Sequence, residues 1–101
     1  MARANLPNVI RTFADRRTAA LFADVPIKGV QADLRRRARA KLVALNSATE
    51  LRDLRAPPGN RLEALKGDRL GQWSVRVNDQ WRICFAWRGG DAFDVEFCDY
   101  H

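Results

Sequence analysis

The chain has 101 residues, 47% of them hydrophobic, which suits one small domain over residues 1–101 around a single core and excludes a multidomain architecture. Its 18 Lys and Arg against 12 Asp and Glu leave +6 at neutral pH, so the expected partner is anionic: nucleic acid, an anionic membrane surface, or an acidic protein that masks the charge. No apolar run approaches the about 18 residues that span a bilayer, and Met1-Ala2-Arg3-Ala4-Asn5-Leu6-Pro7 lacks a secretory hydrophobic region, so a cytoplasmic protein is expected.

Val9-Ile10-Arg11-Thr12-Phe13 reads as a short extended stretch, after which Asp15 is placed to cap a helix running through Leu21 and Phe22. Pro26 and Gly29 then break the chain. From about residue 30 to residue 45, Val30, Leu34, Ala38, Leu42 and Leu45 recur at three- and four-residue steps, while Arg35, Arg36, Arg39 and Lys41 fall largely off that stripe. This predicts a longer second helix with one buried and one cationic face. Asn46-Ser47-Ala48-Thr49 ends it, a short helical turn is expected at residues 50–54, and Pro57-Pro58-Gly59-Asn60 forbids a continuous helix. Arg61-Leu62-Glu63-Ala64-Leu65-Lys66 leads into a Gly67-Asp68 turn, and two leucines three apart fit a strand or a helical turn equally.

From Trp73 the apolar period becomes two. Trp73, Val75 and Val77 alternate with Ser74 and Arg76; Trp81, Ile83, Phe85 and Trp87 with Arg82, Cys84 and Ala86; Phe93, Val95 and Phe97 with Asp94, Glu96 and Cys98. Three consecutive antiparallel strands follow, and with them an α+β fold whose two N-terminal helices pack on one face of a mainly antiparallel sheet. The three tryptophans share the alternating apolar face and are read as core residues rather than base-stacking platforms.

Side chains paired across strands share a face, so the alternation also sets a register. Trp73, Val75 and Val77 meet Phe85, Ile83 and Trp81 across Asn78-Asp79-Gln80, and Trp87, Phe85 and Ile83 meet Phe93, Val95 and Phe97 across Gly89-Gly90-Asp91. Arg76 then stands opposite Arg82, which is unfavourable unless an anion lies beside them, either a bound phosphate or the diagonal Glu96 pairing with Arg82. Cys84 falls opposite Glu96 and not Cys98, a diagonal longer than disulfide geometry favours, so both thiols are expected free. Neither has metal-ligand spacing, and no metal or cofactor is expected.

The chain closes on Asp99-Tyr100-His101, which places a phenol and the protein's single imidazole at the end of the last strand. In register, Tyr100 projects onto the polar face of Arg82 and Arg76. An imidazole titrating near about 6.5, a phenol and fixed cations are the mixture that cleavage of an RNA phosphodiester needs: a 2′-OH loses a proton, charge builds on phosphorus oxygens, and a 5′-oxygen gains a proton.

The ordered set Pro57-Pro58-Gly59-Asn60-Arg61-Leu62, Leu65-Lys66-Gly67-Asp68-Arg69, Gly71-Gln72-Trp73-Ser74, Asn78-Asp79-Gln80-Trp81-Arg82-Ile83 and Asp99-Tyr100-His101 resembles the HigB toxins of bacterial toxin–antitoxin pairs, within the RelE/ParE superfamily. The resemblance covers the chain from about Val9 onward. It implies a RelE/ParE-like sheet with two N-terminal helices and a ribosome-dependent mRNA endoribonuclease. It also implies a cognate helix-turn-helix antitoxin, with operator DNA contacted only through that antitoxin and no membrane partner. Residue by residue it implies catalytic roles for Lys66, Arg82, Asp99, Tyr100 and His101, while Glu63 stands where some relatives have a histidine. Arg35, Arg36, Arg39, Arg69 and Arg76 are the expected RNA contacts, although a run such as that on the second helix also suits a solvated surface. The alternative functions are a non-nuclease toxin of the same fold that inhibits DNA gyrase, and a non-catalytic basic nucleic-acid-binding module.

Overall fold

In the computed structural model, which describes residues 9–99, two helices lie against one face of a four-stranded antiparallel sheet of order β1-β2-β3-β4. The elements are α1 (Arg16–Phe22), α2 (Ala32–Ser47), β1 (Glu63–Ala64), β2 (Gln72–Arg76), β3 (Trp81–Arg88) and β4 (Asp91–Asp99). No helix among the described residues is long and apolar enough to cross a membrane.

At seven residues α1 is too short to persist alone and depends on its cap and on tertiary packing. Asp15 Oδ1 accepts from the Thr18 amide at 2.7 Å, as its position before the helix predicts. Fully buried Thr18 and Leu21 fasten the helix down, with Thr18 Oγ1 accepting from the Phe97 amide of β4 at 3.0 Å. The stripe expected on α2 buries Ala38, Leu42 and Leu45, which join Ile83, Phe85, Val75 and Val95 in one core.

A 3-10 turn at Leu51–Arg55 follows α2, and Asp53 Oδ2 accepts from the amides of Glu50 at 3.0 Å and Thr49 at 2.9 Å. The Glu50 bond first, and the Thr49 bond second, hold the Asp53 carboxyl below its ordinary value of 3.8. A depressed folded value stabilises the fold above about 3.8, and that contribution disappears as pH falls through the lowered value. Asp53→Asn is therefore expected to lower the melting temperature at neutral pH, with the gap to the parent chain closing on acidification in pH-resolved thermal melts. A gap that ignores pH would assign the effect to something other than the carboxylate charge.

The Pro57-Pro58-Gly59-Asn60 break is a second 3-10 turn, Pro58–Asn60, closed by a side chain. Asn60, 2% exposed, donates to the Leu54 carbonyl at 3.0 Å and the Ala56 carbonyl at 3.1 Å and accepts from Lys41 Nζ of α2. Burial, then the neighbouring Arg37 and Arg76, push the Lys41 pKa down. The segment at residues 61–66 that fitted strand or helical turn carries a strand, Glu63 and Ala64 pairing with Ser74 and Trp73, and the turn expected after it is a 3-10 turn at Gly67–Arg69.

The β2–β3 register matches the alternation throughout, including Trp73↔Phe85, Val75↔Ile83 and Arg76↔Arg82. The β3–β4 register matches only in its lower half, with Ile83↔Phe97, Arg82↔Cys98 and Cys84↔Glu96. Above Cys84 it slips, so that Trp87 meets Ala92 and not Phe93, and Ala86 meets Phe93. The slip is a β-bulge in which Asp94, at φ 54°, adds one residue to β4. Its cause lies across the edge of β4, where the extended segment at residues 9–13 runs parallel through bridges Ile10↔Ala92 and Phe13↔Val95. The Asp94 amide donates to Thr12 Oγ1 at 2.8 Å and the Val95 amide to the Thr12 carbonyl at 3.1 Å. The bulge puts Ala92 into the core in place of Phe93, which leaves the core cluster and stacks under Arg88 with the guanidinium 4.2 Å from its ring. The hairpin itself turns on Gly89 and Gly90 alone, both with positive φ as a two-residue type I′ turn requires.

The tryptophans, expected in the core, are partly buried at its rim and pack against it. Trp81 stacks on Phe97 at 4.3 Å with Arg17 of α1 5.1 Å from its ring, Trp87 meets Phe85 edge-on, and Trp73 sits half-buried beside the core.

Candidate active site

Alternation on β1, β2, β3 and β4 places Glu63, Ser74, Arg82, Cys84, Glu96 and Cys98 on the sheet face that carries no helix. Such a face would ordinarily be solvated, yet Arg82 on it is only 4% exposed. A guanidinium tolerates that burial only with its donors engaged and a counter-charge nearby. Arg82 Nε donates to Ser74 Oγ at 2.7 Å, and Nη2 donates to the Arg61 carbonyl at 2.7 Å and approaches the Ser74 carbonyl at 3.3 Å. Glu63 Oε1 lies 3.8 Å away as counter-ion. Ser74 is wholly buried, and Arg61 presents its carbonyl from a left-handed backbone at φ 46°. Sequence reasoning did not single out Ser74, although its register, two pairs along from Arg76↔Arg82 and so on the same face, was the available signal.

The facing guanidiniums Arg76 and Arg82 are offset by two carboxylates. Arg76 pairs with Asp79, and Arg82 with Glu63. Glu96, the expected diagonal partner of Arg82, pairs instead with Arg69 at 3.0 Å, while Arg69 Nη1 donates to Gln72 Oε1 at 2.9 Å. The correction follows from β1: once Glu63 stands opposite Ser74 it reaches Arg82 first, and Arg69, brought over the sheet by its 3-10 turn, takes Glu96. The hydrogen bond with Glu96 is the main cause that raises the Arg69 pKa, so this cation is fixed.

Lys66 is exposed and, with Glu63, Ala64 and Leu65, lines a cleft of about 290 Å³. Glu63 thus belongs both to this cleft and to the Arg82 ion pair. The end of β4 lies beside Arg82 on β3, with Arg82↔Cys98 and Trp81↔Asp99 in register. Asp99 occupies the position that alternates with Cys98, and its Oδ2 accepts from Gln80 Nε2 at 3.1 Å. Tyr100 and His101 lie outside the described residues.

The arginines of α2 are not gathered here, because Ala38, Leu42 and Leu45 turn that helix onto the opposite sheet face. Two of them have structural partners: Arg39 Nε donates to the Phe22 carbonyl at the end of α1 at 2.9 Å, and Arg35 lies 3.6 Å from Asp24. Arg36, its side chain 66% exposed, pairs with neighbouring Asp33 at 3.1 Å.

An exposed lysine and a carboxylate lining one cleft, with that carboxylate paired to a buried cation on the sheet face, suit binding and polarising a phosphate. Comparison with known proteins agrees with that chemistry. A family profile described as "RelE-like toxin of type II toxin-antitoxin system HigB" matches residues 11–101. The chain is 37% identical over 93 residues to the Endoribonuclease HigB of Proteus vulgaris, covering 92% of this chain and 100% of that protein. It is 46% identical over 61 residues to Toxin HigB-1 of Vibrio cholerae serotype O1, covering 60% of this chain and 63% of that protein.

Proposed function

The chain belongs to the HigB family of RelE-like toxins of type II toxin–antitoxin systems and is an endoribonuclease, and from that premise we propose that it cuts translated mRNA on the ribosome by acid/base chemistry that needs no metal ion. Membership of a type II system implies an antitoxin partner. In this reading the antitoxin carries a helix-turn-helix and supplies the contact with operator DNA.

The 2′-oxygen attacks the adjacent phosphorus, its proton passes to Tyr100 or His101, and the bond to the 5′-oxygen breaks as that oxygen takes a proton from the other. The products are a 2′,3′-cyclic phosphate and a 5′-OH. Lys66, exposed in the cleft, offsets the charge on the phosphate, and Arg82 adds a fixed positive field from beneath because Ser74 and the Arg61 carbonyl hold it in place. Glu63 links the two by pairing with Arg82 while lining the Lys66 cleft. Asp99 orients a neighbour in the chain. Arg69, Arg76 and the α2 residues Arg35, Arg36 and Arg39 contact RNA phosphates, Arg36 being the most exposed of those for which ion pairs are seen.

What supports this reading most is Glu63, which lines the Lys66 cleft and pairs with Arg82, whose strand partner Cys98 lies just before Asp99-Tyr100-His101 in sequence. The test compares one mRNA free in solution with the same mRNA on translating ribosomes, followed by chemical analysis of the new ends. Cleavage confined to the ribosome with cyclic-phosphate and 5′-OH ends is expected. Equal cutting of free RNA, or 5′-phosphate ends, would contradict it.

A further inference from the structure

A second cavity, of about 270 Å³, lies beside the edge strand β1 and is lined by Leu51, Leu62, Trp73, Glu50, Arg52 and Arg55. Leu51, Leu62 and Trp73 are partly buried and pack on the core, so they make an apolar floor, while Glu50, Arg52 and Arg55 are exposed at the rim. Trp73 differs from the other two tryptophans. Trp81 stacks on Phe97 and Trp87 meets Phe85 edge-on, whereas among the described residues Trp73 has no ring or guanidinium against it, and its indole N–H bonds to none of them. At the rim, Arg52 and Glu50 form an exposed pair at 3.2 Å, a contact that contributes little and is readily exchanged. Arg55 has no ion-pair partner among the described residues, so the rim is net positive. An aromatic surface in an apolar slot with guanidiniums at its mouth is the composition that holds a nucleobase and a phosphate together.

Its place in the sheet ties this cavity to the Lys66 cleft. On β2, Trp73 pairs with Ala64 and lines the cavity, and the next residue, Ser74, pairs with Glu63 and holds Arg82. Leu62 also lines the cavity, and the next residue, Glu63, lines the cleft. The two openings therefore meet at one peptide bond, whose Cα atoms stand about 3.8 Å apart. We propose that the cavity is a base subsite of the nuclease: one of the two nucleotides joined by the scissile phosphate lays its base on Trp73 between Leu51 and Leu62, and Arg52 and Arg55 meet the next phosphate along the strand. The subsite rests on the reading that puts the reacting phosphate in the Lys66 cleft. An acidic peptide would satisfy the rim but brings no planar group for Trp73, which is why the occupant is RNA. With one indole N–H and otherwise apolar walls, the pocket accepts any base and favours the larger ring face of a purine.

The test is single-turnover cleavage on programmed ribosomes over a series of full-chain concentrations, with mRNA that is intact or carries an abasic ribose on one side of the cut or the other. Trp73→Leu, which keeps an apolar side chain on the core, is expected to raise the half-saturating concentration by about 5- to 150-fold, the factor that one stacked base supplies, and Arg55→Gln to raise it in the same direction. The maximal rate should hold, because a base outside the reacting bonds is bound alike in ground and transition states. One of the two abasic mRNAs should cost the parent chain that same factor and cost Trp73→Leu nothing more. A variant that loses as much as the parent on both abasic mRNAs overturns the subsite. So do variants that cleave like the parent but no longer bind the antitoxin, a result that gives the cavity to an acidic protein. A second readout needs no cleavage: mRNA with 2′-deoxyribose at the cut, which lacks the attacking oxygen, and 4-thiouridine beside it is irradiated on the ribosome with the full chain, and the crosslinked peptide is mapped. A crosslink at Trp73 or within residues 51–55 is expected, and with Arg55→Gln it decides the matter if Trp73→Leu does not fold. Crosslinking there by a chain that cuts no RNA overturns the chemistry at Lys66 and upholds the base subsite, whereas a cutting chain crosslinked only elsewhere overturns the subsite.

Discussion

Replacing Arg82 by alanine is expected to destabilise the fold by about 3 kcal/mol, because it strands a buried environment built around one guanidinium. Ser74 Oγ loses the donor at 2.7 Å, the Arg61 carbonyl loses its donor at 2.7 Å, and Glu63 loses a counter-charge at 3.8 Å. Ser74 is wholly buried and cannot turn to water, so its loss is not recovered. For a chain of this length the melting temperature should fall by roughly 15 °C. Arg82→Lys keeps a charge but not the fork that serves Ser74 and Arg61 together, and should recover only part of the loss. Ser74→Ala should cost about 1 kcal/mol. Thermal melts followed by circular dichroism measure all three, and an Arg82→Ala midpoint within about 3 °C of the parent would show that the guanidinium is not a structural keystone.

Tyr100→Ala and His101→Ala are each expected to lower the cleavage rate by about 10²- to 10⁴-fold, the range carried by a positioned proton donor or acceptor. Lys66→Ala should lose about a hundredfold, as removal of one fixed positive group beside the reacting phosphate does. Lys66 is exposed and packs into no core, so its loss should leave the melting temperature where it was. That separates it from Arg82, whose alanine variant should lose fold and activity together. Single-turnover cleavage on programmed ribosomes reads the chemical step directly, and a full rate in both tip variants would remove Tyr100 and His101 from the mechanism.

Much of this was legible because local pattern and tertiary packing agree. The α2 stripe of Ala38, Leu42 and Leu45 is also the buried face, Asp15 caps the helix it precedes, and the β2–β3 alternation is the observed register. The upper β3–β4 register was not legible, because the bulge at Asp94 is set by Thr12, whose contact lies 82 residues away in sequence. Uniform alternation assigns Phe93 to the core, and only that distant contact shows why Ala92 takes its place. The partner of Arg82 was hidden for a related reason. With residues 61–66 open between strand and turn, Glu96 was the nearest carboxylate in view; β1 brings Glu63 closer and frees Glu96 for Arg69. The α2 arginines show the converse, where a run of charge that looks like one surface has residues spent on tying α1 and α2 together.

The nuclease reading stands on RNA being cut at the polar sheet face that carries Arg82, with Lys66, Tyr100 and His101 taking part in the chemistry. Its most direct measurement is to induce the chain in growing cells and map transcript 5′ ends, alongside Tyr100→Ala and His101→Ala made at the same level. New ends within translated regions that vanish in both variants, together with relief of growth arrest, are predicted. Growth arrest with transcript ends unaltered, or new ends that persist in both variants, would contradict it.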